Sequence, residues 1–584
     1  MKIFRAVIAL IPAWTPWCTL VLGSASPIND HHGEGAGGGE HALPTATVDG
    51  GVIIGTTTSV RGATVGVDQY LGIPFASAPI GTGRFSTPKP TGWSEPLETR
   101  EFGATCIQVF NPYESRDFIQ DVYSPTRPRE SEDCLYLNVF APQKSSDCSD
   151  DDDDNLKDDD DDSEDEELLP VLFWLYGGGF KLGSTNLPIY SGAPFAALEN
   201  VIVVSANYRT NVFGFPSTPA ITNLTERNLG LLDQRAALAW VQRNIEAFGG
   251  DPDKVTIFGQ SAGGYAVDVL LTSPWADDDL PFQAAIMQSG TYSYNPLPNC
   301  NNTNFAAWDS LLNHTNCTSS SPTKAYQCIL DTPVDMMRYA QEKYGITFGM
   351  AGDNVTIVCD PRLRREAGKF AKVPVIGGSN VEDGSYYAAK NGTDIDRYFN
   401  VTFPGETELK AKVLAAYDIN PAEGRWDNMT RLTQIHTDWN FHCPAVFLSN
   451  SSTRYTPTYR YLFNATFPNN RLPYPSILPD NRWPLTPNDT QGAYHASEIP
   501  LVFSTYNRTN ATREQKELSN VMRRAWANFA RDPWTAPIEG WGVSGANGSW
   551  VMNFGTDGKA GVGFGVDRTG KCDVWKDFIW GKHF

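Results

Sequence analysis

Beyond its first residues the sequence has no stretch approaching the roughly 20 consecutive apolar residues needed to cross a bilayer. It also has no cluster of lysine and arginine, which excludes nucleic-acid binding as the main role of the chain. No internal repeat and no clear linker divides it, so its 584 residues point to one large domain with insertions. Histidine is scarce, at eight residues, which shortens any search for a general base. Of the ten cysteines, Cys18 lies in an N-terminal segment that looks like an export signal, leaving an odd nine. The last residues carry neither an apolar anchor tail nor a retention tetrapeptide, so a secreted, extracellular protein is expected.

What is present supports a folded, exported chain. Hydrophobic residues make up 41% and aromatics 12%, the composition of a globular protein. Residues 1–26 read as a signal peptide: Lys2 and Arg5 precede the mostly apolar Ala6–Leu22, and Gly23-Ser24-Ala25-Ser26 supplies small residues for cleavage. Residues 27–44, with His31, His32 and His41, read as a flexible Gly/His-rich tail. Roughly fourteen N-x-S/T sequons occur, including Asn223, Asn301, Asn313, Asn316, Asn354, Asn400, Asn464 and Asn547, as expected of a glycoprotein. The formal charge of -21 is distorted by Asp147–Glu167, which holds about fifteen carboxylates and a single lysine. Such dense like charge cannot form a core, so residues 145–168 are expected to be a solvated, disordered insertion. It lies between predicted strands Leu137–Phe140 and Val171–Tyr176, as if extruded from a hairpin.

Short apolar runs alternate with helical patterns: strands at Val201–Ala206, Val255–Phe258, Ala284–Gln288 and Val373–Gly377, helices at Leu229–Phe248 and Arg513–Arg531, the last taken as the final helix. This alternation predicts an α/β fold with a large, mostly parallel sheet covered by helices on both faces. Within it, Gly259-Gln260-Ser261-Ala262-Gly263-Gly264 follows a strand and opens a helix through Tyr265–Leu271. Strand, tight glycine turn, serine at the apex, helix is the context of a nucleophile elbow. Glycines there relieve a strained backbone, and the helix N-terminus favours a developing oxyanion.

The wider pattern carries more. Phe248-Gly249-Gly250 leads to Gly259-Gln260-Ser261-Ala262-Gly263; Gly72-Ile73-Pro74-Phe75, Glu132-Asp133-Cys134-Leu135-Tyr136-Leu137-Asn138-Val139, Asn207-Tyr208-Arg209, Asp233-Gln234-Arg235 and Gln288-Ser289-Gly290 accompany it. Together these resemble the type-B carboxylesterase/lipase family of α/β-hydrolases, which includes the cholinesterases, from about Gln69 onward. The resemblance implies that residues 45–584 form a single catalytic domain. It also implies Cys106–Cys134 and Cys317–Cys328 bridges, leaving Cys148, Cys300, Cys359, Cys443 and Cys572 unpaired by sequence. Between Cys106 and Cys134, Phe110, Tyr113, Phe118 and Tyr123 would overhang the site entrance. This loop lacks the cation-binding tryptophan of the cholinesterases, and with Glu114, Arg116, Asp117 and Asp121 it is too polar for a lipase lid.

Ester hydrolysis through a serine needs a base, an acid to orient it, and donors for the oxyanion. Ser261 is the expected nucleophile. Among the histidines, His495 occupies Tyr494-His495-Ala496-Ser497-Glu498, similar to the family's histidine loop, whereas His436 and His442 lie in a segment that looks helical and structural. The acid follows a strand in Ser379-Asn380-Val381-Glu382-Asp383-Gly384. The family places a glutamate directly before the glycine; position selects Asp383 here, chemical identity Glu382. By resemblance the oxyanion donors are Gly178, Gly179 and Ala262, and Ser289 hydrogen-bonds the acid. Gln260 stands where many relatives carry a glutamate, and its neutrality argues against choline esters. The expected activity is a serine carboxylesterase acting on a small-molecule or lipid ester without metal or organic cofactor. Alternatives are a triacylglycerol lipase and a non-catalytic, cholinesterase-like adhesion protein, and the oligomeric state is left open.

Overall fold

The computed structural model describes residues 43–581 apart from 145–166, 276–279, 296–303, 392–393, 419–427, 471–491, 546–549, 556–559 and 565–568. The expected signal, Cys148, Cys300 and nearly all of both the Gly/His-rich tail and the acidic insertion lie outside the described residues. Among those described, fourteen strands run β1 Thr45–Val48, β2 Gly51–Ile54, β3 Thr56–Thr58, β4 Val67–Pro74, β5 Leu97–Glu98, β6 Tyr136–Pro142, β7 Leu169–Leu175, β8 Ile202–Ala206, β9 Gly250–Gln260, β10 Ala284–Gln288, β11 Val375–Asn380, β12 Thr458–Asn464, β13 Trp550–Gly555 and β14 Ala560–Phe564. β1, β2 and β5 form a small sheet; the other eleven form one large sheet in the order β14-β13-β12-β11-β10-β9-β7-β8-β6-β4-β3. From β8 to β13 every neighbouring pair is parallel, while β3, β4, β6 and β14 join antiparallel.

The central strands are apolar on both faces because both are covered. In β7, Val171, Phe173 and Leu175 pack with Leu238, Trp240 and Val241 of the helix Leu229–Asn244, while Leu172 and Trp174 point the other way, toward Phe195, Met522 and Trp526. Successive side chains of a strand leave by opposite faces, so a buried strand reads as an unbroken apolar run. The helix Arg513–Arg531 buries Leu518, Met522, Ala525, Trp526 and Phe529, the stripe expected at 3.6 residues per turn, and Thr512 caps it by accepting from the Gln515 amide.

Three sequence expectations change. The strands flanking the acidic segment do not form a hairpin, because β8 lies between β6 and β7 in the sheet. Arg513–Arg531 is not the last helix; β13, β14 and a helix at Thr569–Gly581 follow it. The strand expected at Val373–Gly377 begins at Val375 and runs on to Asn380, carrying its end to the level of the serine turn. Cys106–Cys134 and Cys317–Cys328 are bonded as the resemblance implied, and Cys443–Cys572, which sequence left unpaired, is a further bridge. Among the described residues no helix is long and apolar enough to cross a membrane.

Candidate active site

Ser261 sits between the last residue of β9 and the first residue of the helix Ala262–Thr272, with φ 55° and ψ −121°. That backbone is rarely adopted by an L-residue and is held only when its surroundings over-determine it. The glycines around it explain how. A Cβ on Gly263 would lie 1.9 Å from the Leu175 carbonyl oxygen, and one on Gly259 would meet the Gly263 backbone at 2.5 Å. The strand and helix can approach only because neither position has a side chain.

β11 and the histidine segment bring the remaining groups to this turn. Asp383, fully buried, accepts from Ser289 Oγ at 2.8 Å and from the Asn380 backbone amide at 2.7 Å. Its other oxygen lies 2.8 Å from His495 Nδ1. A carboxylate can only accept, so Nδ1 carries the proton and Nε2 of the neutral imidazole is left with its lone pair. The Gln260 amide nitrogen lies 3.2 Å from that Nε2 and donates to it. Glu382 turns away: it pairs with Tyr494 in an isolated bridge, its carboxylate accepts from the Ala493 amide at 2.8 Å, and it fills the space left by Gly492. Both acids lie in the turn that follows β11, closed by the Asp383 amide on the Asn380 carbonyl and the Ser385 amide on the Glu382 carbonyl, and this turn aims the two carboxylates at different partners, so only Asp383 meets the imidazole.

Ser261, Ala262, Gly179, Ser289 and Gly290 line a cavity of about 730 Å³. Gly179 and Ala262 are therefore beside the serine, and Gly178 is one residue back in the same turn, where a Cβ would collide with the Leu182 carbonyl at 2.2 Å. The resting histidine packs on Phe441, 4.6 Å between ring centres, and on Tyr387 at 5.8 Å. His436 lies behind Tyr387, stacked on it at 4.4 Å, with its Nδ1 at 2.8 Å from the Tyr398 hydroxyl. Burial pushes its pKa down to about 3, with His495 adding to the effect, so it stays neutral beside the site.

Several residues here were not singled out from sequence. Glu498 is fully buried, accepts from Asn380 Nδ2 at 2.7 Å and from Gln288 Nε2 at 3.1 Å, and Trp526 Nε1 donates to Gln288 in turn. Burial, then the nearby Asp383 charge, raises its pKa to about 7. A π-turn at Asp438–His442 presents Trp439, Asn440 and Phe441 to the cavity; such turns insert one residue into a helix and leave no apolar periodicity to read. In the loop between Cys106 and Cys134, the helix Arg116–Tyr123 is tied down by Arg116 to Glu342 and Glu130, and Lys343 pairs with Glu114 just before it.

Known proteins resemble the chain along most of its length. The model of the Carboxylesterase family matches residues 42–553. Para-nitrobenzyl esterase of Bacillus subtilis (strain 168) is 32% identical over 499 residues, covering 83% of this chain and 89% of its own. Cocaine esterase of Homo sapiens is 31% identical over 515 residues, covering 85% and 84%. Secreted lipase 5 of Gibberella zeae is 29% identical over 497 residues, covering 80% and 82%. The solved structure of PNB esterase matches with a TM-score of 0.68 at 27% identity, over 91% of this chain and 99% of that one, which makes the fold that of an α/β-hydrolase. With a family model spanning most of its length and esterases aligned along more than four-fifths of it, the chain belongs to the carboxylesterase family and is a carboxylic-ester hydrolase.

Proposed function

We propose that the protein is a secreted, glycosylated serine carboxylesterase working through an acyl-enzyme. Ser261 Oγ attacks the ester carbonyl as His495 Nε2 takes its proton, and Asp383 stabilises the imidazolium. The carbonyl oxygen becomes an oxyanion received by the backbone amides of Gly178, Gly179 and Ala262. The tetrahedral intermediate collapses, the proton passes from His495 to the leaving alkoxide, and an acyl ester on Ser261 remains. Water, deprotonated by the same histidine, attacks the acyl group, and release of the acid restores the serine. Gln260, which occupies Nε2 at 3.2 Å, yields that position to Ser261 for the first step.

The observation that carries this reading is the buried Asp383–His495 pair at 2.8 Å beside the serine turn. Export is supported by the disulfides and by the sequons: Asn223, Asn313, Asn316, Asn354, Asn400 and Asn464 are all exposed. The test is hydrolysis of p-nitrophenyl acetate, butyrate and palmitate by secreted protein, with Ser261→Ala as control and mass spectrometry of an organophosphonate adduct on Ser261. Loss of both turnover and labelling in Ser261→Ala is expected; retained turnover sinks the proposal. A triacylglycerol lipase is the second reading, suggested by the secreted lipase relative. Activity that jumps when palmitate esters exceed their solubility would favour it over the esterase.

A further inference from the structure

Three of the rings that line the cavity, Tyr387, Trp439 and Phe441, have one buried residue behind them all. Tyr387 and Phe441 pack on His495, and Trp439 comes from the same π-turn as Phe441. His436, itself buried, lies face to face with Tyr387 at 4.4 Å, edge-on to Trp439 at 5.4 Å and tilted against Phe441 at 6.1 Å. The helix expected to make His436 merely structural thus puts it at the back of the substrate wall.

Ring contacts tolerate a range of geometries, whereas a hydrogen bond is directional. The directional element here is Tyr398, fully buried on the helix Ile395–Thr402. Its hydroxyl accepts from Trp439 Nε1 at 3.0 Å, since an indole N–H can only donate, and it lies 2.8 Å from His436 Nδ1. One hydroxyl therefore ties a ring of the wall to the residue on which the other rings rest. Four elements converge at this point: the helices Ser385–Asn391, Ile395–Thr402 and Asn428–Thr437, and the π-turn. Neither Tyr398 nor His436 lines the cavity, so whatever they do for the reaction they do through the rings in front of them.

We infer that Tyr398 and His436 are specificity-determining positioning residues: they fix the wall of Tyr387, Trp439 and Phe441 and, through it, the fit of esters large enough to touch that wall. The inference rests on the reading that Ser261 is the nucleophile facing this cavity. A binding surface is precise only when the rotamers of its side chains are locked by packing and hydrogen bonds from behind. An ester too small to reach the rings loses nothing when that lock is opened. One that packs on Trp439 loses fit, and the loss appears in KM.

The test is Tyr398→Phe, which keeps the ring and removes the hydroxyl. Its substrates are ethyl acetate, phenyl acetate and ethyl benzoate, which carry no ring, a ring on the alcohol side and a ring on the acyl side. Each is compared with its own wild-type value, so intrinsic reactivity cancels. In a variant shown to be folded by circular dichroism, KM for at least one ring-bearing ester is expected to rise by about tenfold, the effect of one lost buried hydrogen bond. Both kcat and KM for ethyl acetate should stay within about twofold. A role in stability alone would lower the melting temperature and leave every KM unmoved, which overturns the inference, as does an equal loss on all three esters. Trp439→Phe should raise the same KM, and adding Tyr398→Phe to it should change that KM by no more than about twofold, because the two act through one bond. A full Tyr398→Phe effect in the Trp439→Phe background overturns the route through Trp439. His436→Phe, which keeps a ring and removes Nδ1, should move the same KM in the same direction; a variant indistinguishable from wild type overturns the role given to His436. If Tyr398→Phe does not fold, Trp439→Phe decides alone, and unchanged KM values for both ring-bearing esters overturn the inference. p-Nitrophenyl acetate separates the two levels of failure: a wild type that hydrolyses neither it nor the three test esters fails the proposed function itself, whereas turnover with KM values unmoved in the variants overturns only the positioning roles.

Discussion

Replacing Asp383 by asparagine preserves its shape and removes one of its two acceptor oxygens. Three donors converge on that carboxylate: His495 Nδ1 at 2.8 Å, Ser289 Oγ at 2.8 Å and the Asn380 amide at 2.7 Å. The amide oxygen of the substituted side chain can satisfy the Ser289 and Asn380 side, which leaves its NH₂ facing the imidazole. The histidine must then accept at Nδ1 and carry its proton on Nε2, the tautomer that cannot take a proton from serine. Loss of the oriented base costs about 10⁴-fold in kcat when the rest of the machinery is intact. That is about 5.5 kcal/mol of transition-state stabilisation. KM should change little, because the carboxylate does not touch the cavity. Glu382→Gln, one residue away, should keep most of its activity, since Glu382 meets the Ala493 amide and not the imidazole. The assay is steady-state hydrolysis of p-nitrophenyl butyrate, with circular dichroism melts to show that each variant is folded. A folded Asp383→Asn enzyme retaining a tenth of wild-type kcat, or a collapse confined to Glu382→Gln, would refute the assignment.

Other perturbations test other parts. Gln260→Glu puts an acceptor where the resting amide donates, so the imidazolium gains a partner and the acid limb of the kcat/KM profile should move to higher pH; an unmoved limb would show that Gln260 does not address Nε2. Glu498 titrates from its ordinary value of 4.5 up to about 7 in the folded chain, so between these values the folded state holds a proton that the unfolded state has lost. Stability should therefore fall as pH rises through that window, by about 3 kcal/mol in all, and Glu498→Gln should flatten the melting temperature between pH 5 and 8. Opening Cys443–Cys572 by a double serine substitution releases a loop of 129 residues. The chain-entropy model gives a loss of about 4–5 kcal/mol for a loop of that size, read as a lower denaturant midpoint. Ala496 holds φ 72° immediately after His495, so Ala496→Gly should relieve strain and raise stability by up to about 1 kcal/mol; a drop of the same size would place the constraint elsewhere.

The parts of the site fixed by local geometry were legible in the residues. Glycines packed between strand and helix left Ser261 no other shape, and the position before Gly384 pointed to Asp383 even though a glutamate stood beside it. What could not be read depends on contacts between distant segments. Glu498 matters because Asn380 and Gln288 enclose it, and each comes from a different strand end. The π-turn at Asp438–His442 breaks the 3.6-residue rhythm that reveals helices, so Trp439 and Asn440 carry no signal in the sequence. The flanks of the acidic segment suggested a hairpin because neighbouring strands usually pair. β8, further along the chain, was the better partner for both, since its fully buried run needed strands on each side.

That interposed strand also fixes where the acidic segment is rooted. β6 runs antiparallel to β8 and β7 runs parallel to it, so Pro142 and Leu169 both lie at the end of the sheet from which β7 departs toward the glycine turn, about 20 Å away. Glu167 pairs with Lys254 at that same lower end. The chain between Lys144 and Glu167 is thus a natural tether point. A fluorophore, a fused domain or a solid support joined there would leave the mouth of the cavity facing free solution, which makes this enzyme suited to oriented immobilisation without redesign of its catalytic face.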